Sequence, residues 1–502
     1  MNADSYSVSI RSQNRRIVAI DKFDVCQNEI TLLFGESGIG KSMISKAVYG
    51  LLDRKELEVT VNGRPYAAYL GDPAVQEIKK NSFFVFQEPS SHLNPLMRIS
   101  DQLGEGSLRQ SDGEREILGR LWGGSDPGAA EKIVEVFPKP YRPSGGEKQR
   151  VLLAMAFKKI DVLLKRGPRR EKTFFVFDEP TGSLDNTYRN LFLEMLFELY
   201  GRMPFTVMLI THDYSVISEL YAKYPRLLDR IHLKELRRVE ESAVEVVDFS
   251  AQEYLGWLKQ TRHVEKARPA GAVVCDMEPR FSVFNRTLCI YKDEGHSRPS
   301  NLVIRSGEMV YLKAQSGVGK TTLAKLIMGL YSPQKFSMTL CGMGMSERTR
   351  RNVWQERVWG TKAGMVFQHA DEALDLKATV KETFDGLPAG SKMDASRLRT
   401  FLQELFEGPI PEAFLNKKVG MLSGGQKQRL NLLRTLALGN DLIILDEPLN
   451  GLDFQSVKKV LGLLQQRRAQ GCAMLMISHN EEIFENIVDA GHTYYLSQED
   501  KS

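Results

Sequence analysis

The sequence predicts an α/β fold built twice in one chain. Three observations carry this. A set of short motifs recurs in the same order in both halves. In each half an apolar run enters a glycine-rich turn and then an amphipathic helical pattern. Further along each half, a second apolar run ends in Asp-Glu. The 502 residues also exceed one ordinary core, at roughly 150 residues per domain.

The repeat is explicit. GESGIGKS at 35–42 returns as AQSGVGKT at 314–321, and VFQ at 85–87 returns at 366–368. SGGEKQR at 144–150 returns as SGGQKQR at 423–429. VFDEP at 176–180 returns as ILDEP at 444–448, and ITHD at 210–213 as ISHN at 477–480. The spacing shortens by 11 residues between the third and fourth motifs, which places an insert of the first copy within 158–175. That stretch is basic, with Lys158, Lys159, Lys165, Arg166, Arg169, Arg170 and Lys172. It reads as a solvated surface loop; the sharper alternative is a docking patch for an acidic partner. The polar segment 262–272, with Pro and Gly, reads as a linker. The expected domains are therefore 1–261 and 273–502.

Composition narrows the function classes. Hydrophobic residues make up 42% and charged residues 26%, ordinary for a globular protein. A net charge of +5 over the chain is too weak to argue for nucleic acid, and no nucleic-acid partner is expected. No apolar run is long enough to span a bilayer, and the N-terminus lacks a signal core. The expected location is cytoplasmic, with any membrane contact made through partners. The five cysteines are scattered and form no C-x-x-C pair, which disfavours a disulfide framework, a zinc site or an iron–sulfur cluster.

The first motif is a phosphate loop. EITLLF (29–34) and EMVYLK (308–313) are strands that lead into G-x-x-x-x-G-K-[ST] turns and then helices. Loop N–H groups at such a turn point at phosphate oxygens. The candidates are Gly35, Ser37, Gly38 and Gly40, then Gln315, Ser316, Gly317, Gly319 and the following Thr322. Lys41 and Lys320 supply charge to the β- and γ-phosphates, and the Ser42 and Thr321 hydroxyls can ligate Mg²⁺. The chemistry implied is ATP with Mg²⁺. Ala314 stands where the pattern wants glycine; if that position needs φ > 0, its Cβ costs about 1 kcal/mol.

The second motif is acidic. Asp178 and Asp446 end apolar strands and can hold Mg²⁺; Glu179 and Glu447 are candidate general bases toward the attacking water. Strands often end in acids, so the pattern gains its meaning from the phosphate loop that precedes it. The third motif starts a helix. Ser144 with Glu147, and Ser423 with Gln426, form the S-x-x-[EQ] capping box. The bland reading is a capped helix. The functional one is an anion site built from Ser144, Gly145, Gly146 and Glu147, and from Ser423, Gly424, Gly425 and Gln426, at a positive helix end.

With these residues in order twice, the chain resembles the ATP-binding cassette (ABC) ATPases over nearly its whole length. The resemblance implies two P-loop NTPase domains, each a mixed sheet core with an α-helical subdomain. It implies glutamine-loop residues at Gln87 and Gln368, both also candidate Mg²⁺ ligands. It implies switch histidines at His212 and His479, catalytic in role, and D-loop aspartates at Asp185 and Asp453. It makes Tyr291 an adenine-stacking residue. The matching stretch of the first copy, SIRSQ (9–13), lacks an aromatic; Tyr6 is nearest, and Arg11 is an alternative through its guanidinium plane. The family joins the phosphate loop of one domain to the signature of the other, head to tail, and a tandem chain supplies both halves covalently. The first site then pairs 35–42 with LSGGQ at 422–426 and keeps the family pattern. The second departs from it at Ala314, Pro143 and Glu147. The first site is expected to dominate turnover.

Two function classes follow. QEPSSHLNPL (87–96), with SDQLGE at 100–105, resembles the peptide and nickel importer ATPases. This makes an energy-coupling transporter subunit with membrane permease partners the leading expectation. The alternative is a soluble ATPase that remodels or activates a cytoplasmic enzyme complex. The carbon–phosphorus lyase accessory ATPases and component A2 of methyl-coenzyme M reductase activation, relatives of the importer group, act in that way. The ribosome-recycling type needs a cysteine-rich iron–sulfur domain, for which these 502 residues hold no cysteine cluster.

Overall fold

The computed structural model describes residues 3–13, 15–122, 127–138, 143–167, 172–182, 186–240, 242–261, 271–315, 317–387 and 393–499. The chain forms two compact units, Met1–Tyr254 and Leu255–Ser502. The division falls inside the helix Ala251–Thr261. The linker expected at 262–272 lies outside the described residues except for 271–272, and so do residues 168–171 of the basic insert.

The first unit holds a six-stranded sheet in the order Val244–Asp248, Ile231–Arg238, Ile30–Gly35, Val207–Ile210, Phe175–Asp178, Phe84–Val85. The last five strands run parallel and the first is antiparallel to its neighbour. Ile30–Gly35, Phe175–Asp178 and Val207–Ile210 are buried at every position. That is why they read as continuous apolar runs rather than alternations, as strands covered on both faces do. A second, antiparallel sheet of Arg15–Cys26, Ala3–Ser12, Glu58–Val61 and Arg64–Pro65 packs its apolar face into the same core.

The second unit repeats the plan with seven strands. Their order is Arg280–Val283, Arg286–Tyr291, Thr493–Gln498, Met309–Lys313, Ala473–Ile477, Leu442–Asp446, Ala363–Val366. Here the hairpin Arg280–Tyr291 extends the main sheet through an antiparallel pairing with Thr493–Gln498. Both units therefore have the predicted architecture. In parallel sheets ligands bind at the carboxyl ends of strands, and these ends carry the phosphate loops and the Asp-Glu pairs.

The basic insert requires a correction. Residues 158–166 are not a solvated loop; they complete the helix Gly145–Arg166, 22 residues against 14 for its counterpart Gly424–Ala437. Lys158 is buried and its ammonium meets Glu114 at 2.7 Å. Lys159 is also buried and donates to the Lys80 carbonyl and the Ser107 hydroxyl. The long aliphatic stems pack while these partners satisfy the charged ends.

Candidate ATP site

Each phosphate loop leaves the end of a buried strand and closes on its own lysine. Lys41 Nζ donates to the carbonyls of Gly35 at 2.6 Å and Glu36 at 3.0 Å. Lys320 Nζ donates to Ala314 at 2.6 Å. Gly38 and Gly317 both hold φ of 80°, and Gly40 and Gly319 hold 117° and 128°, conformations that suit glycine. The helices Lys41–Tyr49 and Lys320–Ile327 begin there, with N–H groups available for phosphate.

The loops differ at their first residue. Gly35 has φ of 140°, and a Cβ there would lie 2.8 Å from the Leu236 carbonyl oxygen. Ala314 holds no positive φ. Its methyl packs against the core of the second unit. The penalty anticipated for Ala314 therefore does not arise, because the backbone has rotated out of the region that requires glycine. Ser316 lies outside the described residues.

The acidic residues sit directly across. Ser42 Oγ donates to Asp178 Oδ1 at 2.9 Å, and Thr321 hydrogen-bonds Asp446. Asp178 and Asp446 are each 1% exposed, and the Oδ2 of each is buried without a hydrogen-bond partner. Burial pushes the Asp178 carboxyl up to about 6, against the Ser42 hydrogen bond. Burial likewise raises Asp446. A hydroxyl beside an unsatisfied, desolvated carboxylate oxygen is a donor set that fits Mg²⁺. Ser42 with Asp178, and Thr321 with Asp446, would hold that cation, which would offset the buried charge and supply Lewis-acid stabilisation to the phosphates.

Glu179 and Glu447 share a strained backbone, with φ of 47° and 51°. Each is pinned by its N–H, which donates to the Ile210 or the Ile477 carbonyl. Such φ values in non-glycine residues mark positions where a side chain is aimed at a cost of order 1 kcal/mol. Their side-chain partners differ. Glu179 accepts from Gln87 Nε2 at 2.7 Å and lies 3.3 Å from His212 Nδ1. Burial works to raise its carboxyl, but His212, Lys41 and Gln87 outweigh that and hold it at about 2. Glu447 accepts from Ser478 Oγ at 2.9 Å and lies 3.6 Å from His479 Nε2. Its burial prevails and pushes the carboxyl up to about 7.

The remaining expected residues fall as follows. Both capping boxes form. Ser144 and Ser423 hydroxyls accept from the N–H of Glu147 and Gln426, whose side chains accept from the serine N–H. The Glu147 carboxylate also takes the Ser144 hydroxyl at 2.8 Å, so its charge is turned back onto the cap. Asp453 caps the helix Phe454–Ala469, accepting from the Ser456 N–H and hydroxyl. Asp185 lies outside the described residues. Tyr291 ends its strand opposite Tyr495, half-buried, with its ring 4.7 Å from that of His296. Gln368 follows the strand Ala363–Val366 and is half-buried.

The first phosphate loop opens into a cavity of about 240 Å³ that also reaches Gln87 and Glu179. Its far wall is Ile17, Val18, Arg238, Ser242 and Val244; neither Tyr6 nor Arg11 lines it. Ile17, Arg238 and Ser478 were not anticipated. Ser478 directly precedes His479, a signal the sequence did offer. Arg238 reaches the loop because its strand pairs with Ile30–Gly35, setting Leu236 against Gly35.

Comparison with known proteins agrees with this geometry. The sequence profile described as ABC transporter matches residues 19–182 and 298–450. The uncharacterized ABC transporter ATP-binding protein YejF of Escherichia coli K12 is 26% identical over 507 residues, 95% of this chain and 90% of that protein. The peptidoglycan transport ATP-binding protein YejF of Agrobacterium fabrum is 26% identical, covering 94% and 87%. The glutathione import ATP-binding protein GsiA of E. coli K12 is 25% identical, covering 99% and 84%. Among solved structures, the RNase-L inhibitor matches with a TM-score of 0.60 at 16% identity, covering 97% of this chain and 89% of its own, a likeness of fold. The chain belongs to the ABC transporter family as a tandem ATPase, with two ATP-binding cassettes on one polypeptide.

Proposed function

We propose that this chain is the energy-coupling subunit of a peptide- or nickel-type importer, hydrolysing ATP with Mg²⁺ to move membrane permease partners from their cytoplasmic face. Its domains are 1–261 and 273–502, and its two composite sites use the residues assigned above. The names of relatives that match nearly end to end support this reading. Among the described residues no helix is long and apolar enough to cross a membrane.

One observation carries the coupling role. The segment after Gln87 links the general-base candidate to an exposed apolar residue. Gln87 bonds Glu179 at one end. At the other, Leu96 is 84% exposed. Between them the loop is braced by the buried Gln102 side chain, which accepts from the Asn94 N–H and donates to the Asn94 and Met97 carbonyls. A rigid loop with a leucine held in water suits a partner that presents an apolar face. The matching position of the second unit is Lys377, so the exposed leucine at this position is particular to the first unit.

The test is affinity purification with mass spectrometry from solubilised membranes and from cytosol, on the wild type and Leu96→Asp. Multi-spanning membrane proteins should accompany the wild type and be lost from Leu96→Asp, which keeps basal ATPase activity. Recovery of soluble enzyme subunits alone would overturn the importer reading in favour of a remodelling ATPase.

A further inference from the structure

A group of metal-ligating side chains stands apart from the phosphate loops and the Asp-Glu pairs. Among the described residues, one set of three metal-ligating side chains comes together: Cys26, Glu29 and His232, whose donor atoms all lie within 4.8 Å of one another. Cys26 ends the strand Arg15–Cys26, Glu29 directly precedes Ile30–Gly35, and His232 lies in Ile231–Arg238. The scattered cysteines argued against a zinc site, but that argument tests only sequence neighbours. Here the parallel register, Thr31 opposite His232, brings in a ligand some two hundred residues away.

The turn that carries the first two ligands is fixed. The Asn28 N–H donates to Thr206 Oγ1 at 2.9 Å and its carbonyl accepts from the Tyr200 hydroxyl at 2.6 Å. Gln27 Nε2 donates to Asp4 at 2.9 Å. His232 Nε2 meets Glu29 Oε2 at 2.5 Å. All three ligands are half-buried, so a cation would keep one face open to water.

The second unit supplies the comparison. Glu308 occupies the place of Glu29, and His492 lies 3.7 Å from it, directly before Thr493, which pairs with Tyr311. The Glu–His pair is therefore common to both copies. In the second copy Arg305 replaces the cysteine, and its N–H donates to Glu308. What sets the first copy apart is the thiol that turns an ion pair into a three-ligand set.

We propose that Cys26, Glu29 and His232 bind a zinc-class divalent cation on the first unit, with water as fourth ligand. Thiolate, imidazole and carboxylate together suit Zn²⁺ over Mg²⁺ or Ca²⁺. Tetrahedral bonds of about 2.0–2.3 Å put ligand atoms roughly 3.3–3.6 Å apart. The Glu29–His232 contact opens by about 1 Å to admit the ion. Cys26 binds as thiolate, its proton passing to solvent. The ion then clips three strands of the first unit together.

The test uses Co²⁺ titration of the full-length, chelator-treated protein without Mg²⁺ or ATP. One equivalent should give a near-ultraviolet sulfur-to-cobalt charge-transfer band, removed by added Zn²⁺. Cys26→Ser should abolish the band and weaken Co²⁺ binding by about a hundredfold or more, with native circular dichroism and unchanged ATPase activity. Zn²⁺ should raise the Tm of wild type and not of Cys26→Ser. A missing band in wild type, or a band that survives in Cys26→Ser, would overturn the proposal and leave an ion pair like that of Glu308 and His492.

Discussion

His212 Nδ1 lies 3.3 Å from Glu179 Oε1, whereas His479 faces Glu447 Oε1 with its other ring nitrogen, Nε2, at 3.6 Å. The two copies share a strained glutamate backbone but not the surroundings of the carboxylate. Gln87 and His212 both favour the ionised form of Glu179. Glu447 has Ser478 on one oxygen, while its other oxygen is buried without a hydrogen-bond partner. A general base must be ionised before it can take a proton, and burial that lifts the Glu447 carboxyl to about 7 leaves it partly protonated at neutral pH while Glu179 stays ionised. Glu179→Gln should therefore lower steady-state ATPase activity at least about tenfold, and Glu447→Gln should leave more than half. Equal losses in the two variants, or a greater loss from Glu447→Gln, would show that the copies are not ranked in this way.

The first residue of each phosphate loop gives a reciprocal pair of substitutions. Gly35→Ala puts a Cβ at φ of 140° and 2.8 Å from the Leu236 carbonyl oxygen. It should cost about 2 kcal/mol of stability and weaken ATP binding. Ala314→Gly asks nothing of the backbone, and its cost should stay within about 1 kcal/mol, from the lost methyl contact. Urea unfolding of both variants, with fluorescent-ATP titration, separates these outcomes. A severe loss in Ala314→Gly would mean that the methyl packing, not φ, governs the loop.

The legible part of this molecule was local. Gly35–Ser42 and Ala314–Thr321 declare themselves because strand, turn and helix are contiguous, and capping boxes need only four residues. The repeat made the fold readable by placing each motif in a known order. What escaped was set by register. Arg238 reaches the cavity at the first phosphate loop through strand pairing, and His232 reaches Glu29 the same way. No local pattern records which strands become neighbours. The insert misled for another reason: lysine-rich sequence looks solvated, yet Lys158 and Lys159 found Glu114 and the Lys80 carbonyl inside the helical subdomain.

A partly buried ion pair at Asp213, directly after His212, predicts acid sensitivity. Arg189 Nη1 meets Asp213 Oδ2 at 2.8 Å, and the Ser215 N–H donates to Asp213 Oδ1 at 3.0 Å. Burial opposes ionisation of Asp213, but Arg189 and Ser215 prevail and hold its carboxyl below the usual aspartate range. The folded state thus binds the proton more weakly than the unfolded chain. The stabilisation is complete above the ordinary aspartate value and is lost as pH falls through the lower, folded value. Asp213→Asn should cost about 2–3 kcal/mol at pH 7, because it leaves Arg189 buried against a neutral partner. Urea unfolding should show this gap at pH 7 and a smaller one near pH 3. A gap that does not change with pH would assign the loss to packing instead.

The far wall of the first cavity yields a prediction about the base rather than the phosphates. Ile17 is 42% exposed and lines the same space as Arg238, beyond the loop that cradles phosphate. A guanidinium plane over a purine gains about 1 kcal/mol by stacking and cation–π attraction, which a lysine ammonium reproduces poorly. The stretch 9–13 of the first copy holds no aromatic counterpart of Tyr291. In a Lys320→Ala background, which silences the second phosphate loop, Arg238→Ala should weaken ATP binding about fivefold. Arg238→Lys should not restore it. Binding of inorganic tripolyphosphate, which has no base, should be unchanged in both variants. A parallel loss of tripolyphosphate affinity would place Arg238 among the phosphate ligands, and no change for ATP would remove it from the site.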